Sequence, residues 1–170
     1  YQCTKDDDLA EKYFNLCIDQ KHARTLLYFQ NLICFYLDRE KVDQAKKFID
    51  LGLLEYPDDQ TLMECLGRYY FEVGKYEISL EILYSAVSRK PELIDAYTCI
   101  SVIEMEIKRD NIKAHDILTK GLERHPGNKM MLNNLAYNYL LLGDIGKART
   151  ILDGINEPEN IFVNATRGLL

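Results

Sequence analysis

Thiols and imidazoles are the side chains best suited to chemistry in this chain, and their spacing limits what they could do. Five cysteines stand at positions 3, 17, 34, 65 and 99, and three histidines at 22, 115 and 125. Zinc sites draw on closely spaced Cys or His pairs, and neither CxxC nor a His–Cys pair of that kind occurs. An odd number of cysteines without such pairs points to reduced thiols, and so to a reducing, cytoplasmic setting. No serine, cysteine or carboxylate is spaced to serve one of the histidines as a nucleophile partner. A glycine-rich phosphate loop is missing as well. Glu64 and Arg68, one helical turn apart, read as an intrahelical ion pair worth a few tenths of a kcal/mol. The residues therefore point to no enzyme, no cofactor and no metal centre.

Bulk composition narrows the partner classes. Twenty-one basic residues against 27 acidic give a net charge of −6, which argues against a nucleic-acid reader. The chain is 47% hydrophobic and 28% charged, ordinary for a folded protein of 170 residues. No apolar run approaches a membrane span, and no signal peptide is visible. The chain opens on Tyr1, so the expectation is that the true N-terminus, with any removed signal, lies outside it.

What positions these residues is a repeat. Met63, Leu66, Gly67, Tyr70, Gly74, Tyr76, Ser79, Leu83, Ala86 and Pro91 form one unit. One period earlier stand Phe29, Leu32, Ile33, Tyr36, Ala45, Ile49, Gly52 and Pro57. One period later stand Tyr97, Ile100, Ser101, Ala114, Leu118, Gly121 and Pro126, with one extra residue before Lys108. A fourth unit holds Leu132, Leu135, Ala136, Tyr139, Gly143, Ala148 and Leu152. The apolar residues recur at 3–4 spacing, the signature of amphipathic helices.

With a period of about 34 residues and this order of Leu-Gly, Tyr, small residue, large residue and Pro, the chain resembles the tetratricopeptide repeat (TPR) family over nearly its whole length. The resemblance implies an all-α, right-handed superhelix of antiparallel helix pairs. Residues 1–25 would be helix B of a truncated repeat, with a helix over about 7–21 introduced by Asp6, Asp7 and Asp8. Full units would span 26–59, 60–93, 94–128 and 129–160, and 161–170 would begin helix A of a further repeat. Gly74 should supply a left-handed turn in the second unit, and Gly143-Asp144 the turn in the fourth. The third unit has no glycine in its turn and carries Glu104 where the others have Tyr, leaving Asp110 or Asn111 to cap the next helix. Ile155 stands where other units have a small residue, which puts the packing of that helix end in question. Apolar ends without polar caps imply a piece of a longer array, prone to self-association.

By the same resemblance, helix A of each unit lines a concave groove. The inward positions on this chain include Leu27, Gln30, Asn31, Cys34 and Asp38 from the first unit, and Glu64, Cys65, Arg68 and Phe71 from the second. The third gives Thr98, Cys99, Val102 and Met105, and the fourth Met130, Asn133, Asn134, Tyr137 and Leu141. Cys34, Cys65 and Cys99 are thus inward, but adjacent A helices stand roughly 10 Å apart. That is too far for three sulfurs to share one zinc at about 2.3 Å. Asn133 and Asn134 are the best placed to bond a peptide backbone, since an amide both donates and accepts.

One TPR subclass clamps chaperone C-terminal carboxylates with two Lys, two Asn and an Arg. Neither frame of that clamp on this chain supplies the positive charges, which predicts no such clamp. The implied function is a protein- or peptide-binding scaffold without cofactors. The alternatives are an assembly module that self-associates, or a peptide-responsive regulatory domain of an attached effector. The twelve tyrosines read mainly as packing residues.

Overall fold

The computed structural model describes residues 25–155 and 160–170. The helix expected over 7–21, with Cys3, Cys17 and His22, and the loop around Pro158 lie outside the described residues. The described chain is a succession of helices with no strand: α1 (Leu26–Leu37), α2 (Val42–Glu55), α3 (Gln60–Glu72), α4 (Tyr76–Arg89), α5 (Ile94–Val102), α6 (Asn111–Arg124), α7 (Lys129–Leu141), α8 (Ile145–Gly154) and α9 (Ile161–Arg167). A π-helical segment, Ile103–Ile107, extends α5. None of these helices is long and apolar enough to cross a membrane.

Local chemistry sets the helix ends. Thr25, Asp59, Asp110, Asn128 and Asp144 cap α1, α3, α6, α7 and α8, each accepting a hydrogen bond from backbone N–H groups of the first turn. Each α-hairpin turns through a left-handed residue. Gly74 (φ 73°) and Gly143 (φ 81°) supply it at the two positions where glycine is expected. Glu40 and Arg109, both at φ 57°, supply it in the other two hairpins at a cost of about 1–2 kcal/mol each.

Backbone bonds locate the extra residue of the third unit. Lys41 N–H donates to Tyr36 C=O, Lys75 to Tyr70 and Asp144 to Tyr139, each five residues back. In the third hairpin Asp110 donates to Glu104 at 2.8 Å, six residues back. The helix widens into a π turn at that point, so the insertion is absorbed before α6 begins. Asp110, not Asn111, caps α6, through Lys113 N–H.

Packing runs through three apolar clusters, one centred on Phe29, Leu32, Ile49 and Leu62, one on Leu83, Tyr97, Ile100 and Leu118, and one on Ala136, Leu152, Ile155 and Val163. Close approach fixes the small positions. A Cβ added to Gly67 would overlap Leu83, and one on Gly121 would lie 2.9 Å from Met131 Sδ and Tyr97 Cγ. Ile155 keeps its helix end packed in a different way. Helix α8 stops at Gly154, and Ile155 turns extended (φ −86°, ψ 103°) so that its side chain enters the third cluster, 2% exposed.

Each of α1, α3, α5 and α7 packs on its own hairpin partner and also on the next odd-numbered helix. α1, α3, α5 and α7 therefore stand side by side in one wall, with α9 against α7 and α8.

Candidate binding groove

A cleft of about 680 Å³ crosses that wall, within the range of roughly 300–1,000 Å³ usual for ligand sites. Asp38 at the end of α1 borders it, as do Arg68 and Phe71 of α3 and Asp95, Thr98, Cys99 and Val102 of α5. Lys129, Met130, Asn133 and Asn134 of α7, with Asn160 and Val163 at α9, complete its walls.

Arg68 organises the α1–α3–α5 end. Its guanidinium donates to Asp38 Oδ1 at 2.5 Å and approaches Glu72 and Asp95 at 3.9 Å each. Burial works most strongly against the charge on Arg68, but the Asp38 bond together with the negative charges of Asp38 and Asp95 outweighs it and holds the guanidinium more firmly protonated than usual. The expected Glu64–Arg68 ion pair does not form. Glu64 is 9% exposed and accepts Ala96 N–H at 2.8 Å, capping α5 from the neighbouring helix. Leu93, the residue before α5, has no side-chain acceptor, so the cap must come from elsewhere. Burial pushes the Glu64 carboxyl up to about 7, with the Ala96 bond acting against the rise.

Cys99 lines this end, and Cys34 and Cys65 sit behind it. Cys34 and Cys65 are free thiols hydrogen-bonded across α1 and α3. The bond with Cys65 lowers the Cys34 thiol, and burial opposes it; the partner Cys65, buried, is raised by the same bond. Burial also pushes Cys99 up to about 12. No group of three or more metal-binding side chains occurs among the described residues.

The α7 end is built from amides. Asn134 Nδ2 donates a long bond of 3.5 Å to Ser101 Oγ, which itself donates to Thr98 C=O at 2.8 Å. Thr98, buried, spends its hydroxyl on Asp95 C=O at 2.8 Å. Asn133 is 8% exposed, and its Oδ1 is buried without a hydrogen-bond partner. Tyr137 bonds the Glu106 carboxylate, which raises its hydroxyl.

Of the residues expected in the groove, Asp38, Arg68, Phe71, Thr98, Cys99, Val102, Met130, Asn133 and Asn134 border one cleft, and Tyr137 lies on α7 outside its lining. Cys34 and Glu64 sit behind its α1–α3 end as a thiol pair and a helix cap. Gln30 and Asn31 lie along α1, half-buried and exposed, and do not border the cleft. Met105 is a correction. It is 2% exposed because it lies in the π turn, where the widened backbone sends its side chain into the core. The cleft also takes in Asp95, Lys129, Asn160 and Val163, which the sequence reading leaves out. Asp95 has the same repeat position as Leu27 and Met130, so register alone points to it; Asn160, the last residue of the fourth unit, stands just before α9, and Val163 is on α9, past the four units.

Known folds place this arrangement. No protein-family model matches the chain, and no curated relative does either. Solved structures do. A tetratricopeptide repeat protein from Parabacteroides merdae ATCC 43184 aligns with TM-score 0.71 at 13% identity, over 96% of this chain and 65% of that one. TTC0263, a thermophilic TPR protein of Thermus thermophilus, gives 0.66 at 19% identity over 85% and 75%. YrrB, described as a TPR protein with an unusual peptide-binding site, gives 0.64 at 16% identity over 98% and 87%. The fold is a TPR superhelix. Within the TPR fold, α1, α3, α5, α7 and α9 hold the helix A places, and the cleft lies on the face they share.

Proposed function

We propose that this TPR array is a protein-binding scaffold that holds a peptide segment in the cleft across its A helices. The observation that supports the reading most is Asn133, a nearly buried amide whose oxygen has no partner, on the wall of a cleft large enough for several side chains. Asn134, bound only weakly to Ser101, is the second amide free to turn toward a peptide backbone. YrrB, similar in fold, is described as carrying a peptide-binding site, which supports the same use of the face.

The cleft holds no chaperone-type carboxylate clamp in this reading. Its central cation, Arg68, is already shared by three carboxylates and has little charge left for a fourth. The proposal extends to a cytoplasmic setting. Cys34 and Cys65 touch as thiols without bridging, a state that reducing surroundings preserve.

Affinity capture from source-cell lysate tests the reading, with wild type beside an Asn134→Ala/Tyr137→Ala variant that keeps its helical circular dichroism. A partner held by the wild type and lost by the variant supports the cleft. Equal capture by both moves the site elsewhere. Recovery of further copies of the same chain, with dissociation on dilution, favours assembly instead.

A further inference from the structure

The cleft has more acceptors than donors at one end. Asp38, Glu72 and Asp95 surround the Arg68 guanidinium, so three carboxylates face one cation there. Asp95 stands 3.9 Å from Arg68, beyond hydrogen-bond length, and its side chain is half exposed to the cleft. Asp38 is 57% exposed at the side chain. A second observation points the same way. Asn133 is nine-tenths buried, lines this cleft, and has an amide oxygen that accepts nothing. Carboxylates and an amide oxygen ask for the same complement, N–H donors with positive charge.

Resting on the groove reading above, we propose that the bound segment is a peptide with a lysine or arginine side chain. That side chain seats on the exposed sides of Asp38 and Asp95, beside Arg68 rather than between them, and an adjacent backbone N–H reaches the Asn133 oxygen once the amide turns toward the cleft. The apolar floor between the two ends, Phe71 and Val102, takes the stem or a neighbouring aliphatic residue. Arg68 then acts as a spacer that keeps the two aspartates apart while leaving the end in negative excess.

An immobilised array of random acetylated nonapeptides, balanced in Lys/Arg and Asp/Glu content, tests this with the full chain. A duplicate array with free amino termini separates a terminal ammonium from a side chain. Wild type should retain Lys/Arg peptides at least about tenfold over neutral ones, a preference that weakens with added salt. Asp38→Asn/Asp95→Asn should lose that preference while its thermal unfolding stays cooperative. Selection without charge bias, or of acidic peptides, abolished by Val102→Glu, would overturn the basic seat and leave the groove standing. Retention only on the free-amine array would replace the side chain with a terminal ammonium and overturn the proposal. Binding indifferent to both variants, or no retained peptide, would overturn the groove reading with it.

Discussion

The two ends of the cleft are built on opposite principles. At the α1–α3–α5 end almost every polar group has a partner: Arg68 on Asp38, Glu64 on Ala96 N–H, and Cys34 on Cys65. At the α7 end Asn133 has none for its oxygen and Asn134 has a poor one. At the first end Arg68 and the Glu64 cap hold three A helices in register, and the carboxylate excess left on Asp38 and Asp95 is the part proposed to meet a basic side chain. At the second end, in the proposed reading, the unused capacity of Asn133 and Asn134 is kept for a peptide. Glu64 and Asn133 hold the same repeat position, so on the proposed reading one position serves stability in one unit and recognition in another.

Titration of Glu64 should give the largest effect that separates the ends. Its carboxyl is held at about 7 in the folded chain against an ordinary 4.5, so the folded state binds the extra proton between those values. Stability from this group is full below about pH 4.5 and is lost as pH rises through 7, by up to about 3 kcal/mol. Urea denaturation from pH 4.5 to 8 should show the stability of Glu64→Gln gaining on wild type as pH rises. Parallel curves would mean that Glu64 is solvated or ion-paired. No comparable pH dependence should arise from Asn133 or Asn134, which do not titrate.

Arg68→Leu comes next. It leaves Asp38, Glu72 and Asp95 facing one another without a cation, and should cost roughly 1–3 kcal/mol after allowing for the solvent exposure of the carboxylates. Chemical denaturation at low and high salt reads it, with the loss shrinking as salt screens the repulsion. An unchanged stability would erase the distinction between a structural and a spare end.

Asn133→Ala should do the reverse. Removing a buried acceptor with no partner should leave stability within about 1 kcal/mol of wild type, or raise it, while peptide retention falls. A loss of several kcal/mol would show that Asn133 is structural after all. The smallest effect concerns reactivity. Cys34, half-buried and lowered by its thiol partner, should react with iodoacetamide faster than Cys65 or Cys99, both raised. Mass spectrometry of partly alkylated protein ranks the three.

The fold is legible because repetition averages out local ambiguity: Gly74, Gly143 and the small residues at Gly52 and Ala86 sit where the period places them. The insertion before Lys108 is countable in sequence, but its form as a π turn is not, because spacing does not say which hydrogen bonds stretch. Met105 leaves the groove for that reason. Glu64 reads as a partner of Arg68 because intrahelical spacing is visible in sequence, whereas the Ala96 N–H that claims it lies on the next A helix. Leu93, a residue unable to cap α5, is the available hint. The thiol contact is hidden because backbone separation between helices sets no limit that two inward side chains cannot close. Groove residues on α7 follow from register, while Asn160 closes the fourth unit just before α9 and Val163 belongs to α9, past the four full units.

Site-specific photo-crosslinking tests the central claim most directly. A benzophenone amino acid at Val102, on the cleft, is compared with one at Ile112, 71% exposed on α6, and both variants are irradiated with the partner or with a retained array peptide. The account predicts an adduct from position 102 and none from position 112. An adduct from 112 alone would place recognition outside the cleft and contradict it.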